Sequence, residues 1–195
     1  MTASAPHIAP LPRPALRQLQ LARRLAFTSG PDAAPAHAAL ANHLASVLRE
    51  LEPDLLGLYW AIRSEFNAAS ALTTDTGPSK WPLALPFTRR TPKQMHYRAW
   101  DGQAPTLFDE CGIRACEGAV VVPDVLLVPC VGFTANGLRL GYGGGYFDRW
   151  LAQHPDATTV GVAWSCTQLD AGAYEPQPHD QALTLIVTER GVVQA

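Results

Sequence analysis

Residues 124–150 read D-V-L-L-V-P-C-V-G-F-T-A-N-G-L-R-L-G-Y-G-G-G-Y-F-D-R-W, and they join a strong strand pattern to a glycine-rich loop and a helix. The apolar run at 124–129 predicts a strand that is buried on both faces. Four of the residues at 141–145 are glycine, a density that a folded chain keeps where its backbone adopts positive φ or lies against another group. Backbone N–H groups that lead into a helix N-terminus form a concave anion site. The segment therefore predicts either a phosphate-binding loop or a glycine turn without a chemical role.

This glycine loop matches neither common nucleotide fingerprint. A dinucleotide-binding loop would need glycine where Tyr146 stands, and a Walker A loop would need Lys-Ser or Lys-Thr after its last glycine. Its position still favours ligand binding, because open α/β sheets bind ligands at the carboxyl ends of their strands and this loop opens a helix predicted at 146–154. Asp148 would lie in the first turn of that helix, where it either complements the helix dipole or holds a hard cation such as Mg²⁺ beside a phosphate. Tyr142 and Tyr146 are either core aromatics or stacking platforms for a flat ligand.

Length and composition indicate one globular domain. The 195 residues are 47% hydrophobic and 16% charged, which is typical of a folded domain. The net charge of −2 gives no basic field for nucleic acid, so an anionic ligand would be held by local arginines and backbone N–H groups. The longest apolar stretch, residues 119–133, is interrupted by proline and aspartate and is not expected to span a bilayer. No signal peptide is recognisable, and we expect a cytoplasmic protein.

Helices and short apolar strands alternate along the chain. Residues 1–12 are expected to form a flexible N-terminal tail, and residues 13–195 a single domain. Helices are predicted at 13–26, 36–51 and 68–74, a loop at 74–80, and strands at 55–62, 83–88, 94–100, 158–164 and 184–188. The predicted apolar face of the first helix consists of leucines: Leu16, Leu19, Leu21 and Leu25. This alternation predicts an α/β domain with a mostly parallel sheet.

Residues 128–149 read V-P-C-V-G-F-T-A-N-G-L-R-L-G-Y-G-G-G-Y-F-D-R. This segment resembles the motif P-G-x-G-F-D-x-x-G-x-R-L-G-Y-G-G-G-Y-Y-D-R of bacterial 5-formyltetrahydrofolate cyclo-ligases, also called methenyltetrahydrofolate synthetases. Similar pieces of that family's pattern follow in the same order elsewhere: Arg13 and Arg17, Arg63-Ser64-Glu65, M-H-Y-R-A-W at 95–100, Cys111-Gly112-Ile113, and Pro178-His179-Asp180. The resemblance covers residues 13–188. The chain departs from the pattern at Arg13, where the family usually has Lys, at Phe147, where it has Tyr, and at Ala115, where it often has Glu.

The resemblance implies a fold and a reaction. The fold would be a three-layer α/β architecture, with a mostly parallel open sheet flanked by helices in a topology like that of sugar-phosphate isomerases and CoA-transferases. The protein would be a monomer without nucleic-acid or membrane partners. The reaction would convert 5-formyltetrahydrofolate to 5,10-methenyltetrahydrofolate, with ATP as co-substrate, Mg²⁺ as cofactor, and ADP and phosphate as further products. In this family the formyl oxygen is phosphorylated and N10 attacks the activated carbon, which asks the protein mainly for positioning and charge neutralisation.

The resemblance also implies roles for individual residues. ATP would be bound by the glycine loop and by arginines, two of them at i, i+4 on the first helix: Arg13, Arg17, Arg139, Leu140, Gly141, Tyr142, Gly143, Gly144, Gly145, Tyr146 and Phe147. The folate would contact Trp60, Glu65, Met95, Trp100, Tyr142 and Tyr146. The Mg²⁺ ligands would be Asp148 and Asp180, and the catalytic residues would be Arg139, Arg149 and Glu65.

Two other functions remain open on the residues alone. A paralogue that binds folate or nucleotide without turnover would keep the same loop, although the retained Arg139, Asp148 and Arg149 argue against it. An enzyme that uses the same scaffold on a phosphorylated sugar would not need ATP. A requirement for ATP therefore separates that enzyme from a cyclo-ligase.

Overall fold

The structure is a computed structural model that describes residues 11–72 and 80–194. The helices are α1 Arg13–Thr28, α2 Ala33–Leu51, α3 Ala68–Leu72 and α4 Tyr146–Gln153, with a 3-10 turn at Ser165–Thr167. The strands are β1 Leu56–Gly57, β2 Leu83–Arg90, β3 Lys93–Trp100, β4 Leu107–Phe108, β5 Arg114–Ala115, β6 Val120–Val121, β7 Val125–Pro129, β8 Gly132–Phe133, β9 Arg139–Leu140, β10 Thr158–Val162, β11 Leu185–Thr188 and β12 Gly191–Gln194. The predicted tail at 1–12 lies outside the described residues except for its last two positions, and the predicted loop at 74–80 except for its last. None of the helices in the described part of the chain is long and apolar enough to cross a membrane.

Eight of these strands form one sheet in the order β12-β11-β10-β7-β1-β2-β3-β6. The five strands from β11 to β2 in that order run parallel to one another. The strands β12, β3 and β6 pair antiparallel with their neighbours, and β2 and β3 form a hairpin in which Arg90 lies opposite Lys93 at the tip. The prediction of a mostly parallel α/β sheet flanked by helices is confirmed.

The central strand β7 shows why helices cover both faces of the sheet. All its residues are buried, and consecutive side chains enter different cores: Val125 packs in the core that includes α2, and Leu126 in the core that includes α4. The helix α2 buries a leucine stripe at helical spacing: Leu40, Leu44 and Leu48. On the other face, α4 buries Trp150. A strand that is apolar on both sides thus lies between two helices that are each apolar on one side, which produces the three predicted layers.

The strand predicted at 55–62 is shorter in the structure. Only Leu56–Gly57 forms β1, and one further parallel hydrogen bond joins the N–H of Leu58 to the carbonyl of Ala84 at 2.8 Å. The chain then leaves the sheet and turns back at residues 62–65. The apolar run continues beyond the strand because its later side chains line a cavity, and not because the backbone stays in the sheet.

The predicted apolar face of α1 is wrong in part. Leu16 is buried, but the other buried residues of the helix are Gln20 and Arg24, while Leu19 and Leu25 are 39% and 60% exposed. The face that α1 turns inward meets the loop after β7 and the glycine loop, where arginine side chains donate to backbone carbonyls. The spacing of apolar residues therefore predicted the helix correctly but not which of its faces is buried.

Candidate active site

A cavity of about 950 Å³ lies at the carboxyl end of β7. Its walls come from α1, the turn at 62–65, the β2–β3 hairpin, the loop at 109–113, the glycine loop with α4, and the segment at 177–181. The predicted site residues that line it are Arg13, Arg17, Trp60, Glu65, Met95, Arg139, Gly141, Tyr142, Gly143, Gly144, Gly145, Tyr146, Phe147, Asp148, Arg149 and Asp180. The fold thus gathers residues from both ends of the chain at the sheet edge where open α/β proteins bind ligands.

The glycine loop has the backbone that its composition requires. Gly143 and Gly145 have φ of 90° and 65°, in the left-handed region that favours glycine, and Gly145 directly precedes α4. No acceptor among the described residues takes the backbone N–H groups of Gly143, Gly144 or Gly145. These donors lead into a helix N-terminus, which is the arrangement that binds anions.

Three arginines crowd the same loop. Arg17 Nε donates to the carbonyl of Gly141 at 2.7 Å, and Arg149 Nη2 donates to the carbonyl of Gly144 at 2.8 Å. A Cβ atom on Gly141 would lie 2.6 Å from Nη1 of Arg139. The missing side chains therefore make room for guanidinium groups as well as for a ligand.

Two arginine–aspartate pairs face the cavity. Arg139 Nη2 donates to Asp148 Oδ1 at 2.9 Å, and the guanidinium of Arg13 contacts both carboxylate oxygens of Asp180. Tyr174 Oη donates to the same Asp180 carboxylate at 2.9 Å. Burial alone would raise the pKa of Asp180, but its hydrogen bonds, led by the one from Arg13, lower that pKa to about 2. The two aspartates predicted to hold Mg²⁺ are thus paired with two of the arginines predicted to bind phosphate.

Glu65 enters the cavity from the turn at 62–65. Its Oε2 accepts the backbone N–H of Ile62 at 2.9 Å, while its Oε1 is buried and has no hydrogen-bond partner in the described chain. Burial raises the pKa of Glu65, against the effect of its hydrogen bond from Ile62 and of the nearby Tyr142 and Arg24. A buried polar atom without a partner is costly, so this oxygen marks the place where a ligand donor would bind.

Two residues predicted to bind ligand, Trp100 and Leu140, do not line the cavity. The indole of Trp100 is buried, donates its N–H to the carbonyl of Gln103 at 2.7 Å, and packs edge-on against Trp60 with centroids 6.3 Å apart. Leu140 is buried in an apolar cluster that includes Leu16. Trp100 thus packs behind Trp60, which does line the cavity.

Arg24 does not line the cavity but contacts a residue that does, and no prediction from the sequence named it. Its side chain is 1% exposed, and Nη2 donates to Tyr142 Oη at 2.6 Å. Arg13, Arg17 and Arg24 stand at i, i+4 and i+11, which is one face of a helix with 3.6 residues per turn. The spacing that singled out the first two arginines also indicates the third. Thr88, Lys93 and Asp109 also line the cavity, and no sequence pattern had singled them out.

Fold and site together define an α/β protein in which a glycine loop, arginines and carboxylates share one cavity at the carboxyl ends of the parallel strands, an arrangement that suits an anionic ligand. The model of the 5-formyltetrahydrofolate cyclo-ligase family matches residues 12–189. The chain therefore belongs to the 5-formyltetrahydrofolate cyclo-ligase family.

A curated relative agrees with this assignment, and two solved structures share the fold. A 5-formyltetrahydrofolate cyclo-ligase from Haemophilus influenzae is 26% identical over 146 residues, which cover 69% of this chain and 76% of that relative. A 5,10-methenyltetrahydrofolate synthetase from Mycoplasma pneumoniae superposes with a TM-score of 0.71 at 22% identity, covering 92% of this chain and 99% of the other. The corresponding synthetase from Aquifex aeolicus gives a TM-score of 0.73 at 24% identity, covering 93% of this chain and 92% of the other. The two structures confirm the predicted fold.

Proposed function

We propose that this enzyme converts 5-formyltetrahydrofolate to 5,10-methenyltetrahydrofolate and couples the conversion to cleavage of ATP into ADP and phosphate. The proposal rests on one cavity with two features: a glycine loop contacted by several arginines, and the carboxylate of Glu65, one oxygen of which has no hydrogen-bond partner in the described chain. The first feature suits a polyphosphate, and the second suits a heterocycle with N–H donors. Membership of the cyclo-ligase family supports the same reaction.

ATP would bind at the glycine loop. The N–H groups of Gly143, Gly144 and Gly145 lead into α4, whose dipole adds attraction for phosphate. Arg17 and Arg139 contact the same loop and supply the positive charge that a protein of net charge −2 must concentrate locally. The proposed nucleotide half of the cavity therefore combines backbone donors with fixed cations.

Asp148 and Asp180 would hold Mg²⁺. Both line the cavity, and their carboxylate oxygens suit this ion, which usually takes one or two carboxylates together with substrate phosphates and water. Residues 11–72 and 80–194 contain no group of three or more potential metal-binding side chains, and a site completed by phosphates does not need one. Arg139 and Arg13 pair with these carboxylates and are also the cations that phosphates would attract. When bound, the ion would neutralise phosphate charge.

The chemistry requires activation of the formyl group, because a formamide is a poor electrophile and its oxygen a poor leaving group. The formyl oxygen forms a bond to the γ-phosphorus of ATP while the bond to ADP breaks, which leaves an iminium-like carbon. N10 then bonds to that carbon and loses its proton, and phosphate departs with the former formyl oxygen. Arg139 and Arg149 would stabilise charge on the transferred group, and Glu65 would orient the folate near its formyl or pterin end.

The absorbance of 5,10-methenyltetrahydrofolate tests the proposal. Purified protein with 5-formyltetrahydrofolate, ATP and Mg²⁺ is expected to gain that absorbance, and omission of ATP or chelation of Mg²⁺ by EDTA is expected to abolish the gain. Folded protein that binds both substrates without forming product would be a non-catalytic paralogue and would contradict the proposal. Product formation that is independent of ATP would contradict it as well.

A further inference from the structure

Arg24 is a buried cation without a carboxylate partner. It lies on the inner face of α1, and no acidic side chain of the described chain comes within ion-pair distance of its guanidinium. Burial of an unpaired charge is costly unless hydrogen bonds replace the lost water. The proposed reaction uses Arg13, Arg17, Arg139 and Arg149 and gives Arg24 no task. Its burial therefore needs another explanation.

The guanidinium of Arg24 reaches three separate segments. Its Nε donates to Ser64 Oγ at 3.1 Å in the turn at 62–65, and its Nη1 donates to the carbonyl of Cys130 at 3.3 Å, directly after β7. Its Nη2 donates to Tyr142 Oη at 2.6 Å in the glycine loop. The acceptors lie 40, 106 and 118 residues away along the chain. One side chain thus joins the turn, the end of the central strand and the glycine loop.

The turn that presents Glu65 is strained and is held from outside. Arg63 has a φ of +57°, in the left-handed region that a residue with a side chain rarely adopts unless its surroundings impose it. Its neighbour Ser64 is anchored at two atoms: the hydroxyl accepts from Arg24, and the carbonyl accepts from Trp164 Nε1 at 3.1 Å. This anchoring fixes the direction from which Glu65 enters the cavity.

Tyr142 is the counterpart of Ser64 on the glycine loop. Its hydroxyl accepts from Arg24, while its side chain lines the cavity and lies beneath the guanidinium of Arg63, 5.3 Å from the ring centroid. Burial raises the pKa of Tyr142 to about 12, so the hydroxyl keeps its proton at neutral pH. The loop is therefore tied to α1 through a neutral hydroxyl and a permanently charged donor.

We propose that Arg24 is a positioning residue that sets the two ligand-binding parts of the cavity relative to each other. Through Ser64 it holds the turn that carries Glu65 to the folate, and through Tyr142 it holds the glycine loop at the phosphates of ATP. The identity of the two ligands rests on the proposed function. Loss of Arg24 then weakens both ligands, whereas loss of the Ser64 hydroxyl weakens the folate alone.

Three variants separate these links. Ser64→Ala removes the acceptor in the turn, Tyr142→Phe removes the hydroxyl but keeps the ring, and Arg24→Lys keeps the charge but cannot reach three acceptors at once. Arg23→Gln is the matched control, because Arg23 is the exposed neighbour on the same helix. The affinities for 5-formyltetrahydrofolate and for ATP with Mg²⁺ are measured separately by isothermal titration calorimetry on the full chain, so the readout does not depend on turnover.

We expect Ser64→Ala to weaken folate binding alone, roughly tenfold, and Arg24→Lys to weaken both ligands. Tyr142→Phe is expected to weaken both as well, because Tyr142 also neighbours Glu65. Arg23→Gln is expected to change neither affinity. Partial unfolding of a variant would weaken both ligands, so the loss of folate affinity alone in Ser64→Ala is the diagnostic result. Folded Arg24→Lys protein with both affinities within about twofold of wild type overturns the inference. If Arg24→Lys does not fold, unchanged affinities in both hydroxyl variants overturn it. Wild-type protein that binds both ligands and forms no product contradicts the proposed function instead.

Discussion

Two arginine–aspartate pairs face the same cavity, and they are built in opposite ways. Arg139 and Asp148 stand nine residues apart, in β9 and the first turn of α4. Arg13 and Asp180 stand 167 residues apart. In the first pair the arginine is the more buried partner: its side chain is 5% exposed, and that of the aspartate is 17% exposed. In the second pair the aspartate is the more buried partner, with 8% exposed against 20% for the arginine. One pair is a product of the local sequence, and the other is a product of the completed fold.

This difference assigns the pairs different tasks. Arg139 and Asp148 flank the glycine loop, and the carboxylate of Asp148 neutralises the buried guanidinium of Arg139. This pair should therefore matter most for the chemistry and for the stability of the loop. The Arg13–Asp180 pair joins α1 to the segment at 177–181 and adds a bond from Arg13 Nη2 to the carbonyl of Glu175 at 2.9 Å. It should matter most for the closure of the cavity rim.

Replacement of the local aspartate should have the largest effect. In Asp148→Asn, Arg139 keeps its buried charge without a carboxylate, and its Nε already lacks a partner in the described chain. We expect the free energy of unfolding to fall by about 3 kcal/mol, and kcat to fall about a hundredfold because a proposed metal ligand is lost. Urea unfolding and the absorbance assay measure the two effects. Asp156→Asn is the control, because Asp156 is exposed just after α4. Unchanged turnover in the Asp148 variant would remove that residue from the metal site.

The distant aspartate should matter less for stability. In Asp180→Asn the two-point contact with Arg13 is lost and the bond from Tyr174 weakens. We expect a loss of about 1 to 2 kcal/mol in the free energy of unfolding and about tenfold in kcat/KM. Proteolysis of the segment at 177–181 should accelerate in the variant. The exposed Asp170 supplies the matched variant Asp170→Asn, and equal effects of the two substitutions would refute the role of Asp180 in closing the cavity rim.

The dependence of stability on pH in the acid range should distinguish wild type from Asp180→Asn. Hydrogen bonds from Arg13 and its neighbours outweigh burial and lower the pKa of Asp180 from its ordinary value of 3.8 to about 2. Ionised Asp180 therefore stabilises the fold above about pH 4, and this contribution is lost as the pH falls towards 2. The stability difference between wild type and Asp180→Asn should shrink over that interval. A difference that stays constant in urea titrations across it would contradict the lowered pKa.

Much of the local construction could be predicted from the residues themselves. Glycine density predicted a special backbone, and Gly143 and Gly145 have positive φ. The continuous apolar run predicted that β7 is buried on both faces. In the structure it is, because β7 lies in the middle of the sheet with helices on both sides. These features depend on the backbone preferences and burial of neighbouring residues, so a short window of sequence contains the relevant physics.

Features that depend on distant partners could not be predicted in the same way. The face that α1 buries is set by acceptors that the rest of the fold supplies, such as the Cys130 carbonyl, and not by the leucines of the helix. Trp100 carries the residue type of a ligand platform, yet β3 turns its indole into the core. Arg13 and Asp180 were given separate roles through family resemblance, and their pairing was not predicted, because no local pattern links residues so far apart.

The smallest effect is expected from Arg13→Lys, which changes the geometry of the distant pair and keeps its charge. The guanidinium contacts both oxygens of Asp180 and lies 4.7 Å from the centroid of the Tyr174 ring, whereas an ammonium cannot form the planar fork. We expect the free energy of ATP binding to weaken by about 0.7 kcal/mol if closure of the rim contributes to binding. This corresponds to about a threefold rise in KM for ATP. The exposed Arg49 provides the control Arg49→Lys on α2.

A double-mutant cycle that combines Arg13→Lys with Asp180→Asn shows whether Arg13 acts through Asp180. If Arg13 acts through Asp180, the lysine substitution should cost almost nothing further once the carboxylate is gone, so the two substitutions should be strongly non-additive in a double-mutant cycle. Additive effects would instead mean that Arg13 acts on the nucleotide without Asp180. In that case the distant pair would be two independent groups, and Arg139–Asp148 would be the one arginine–aspartate pair at the cavity that works as a unit.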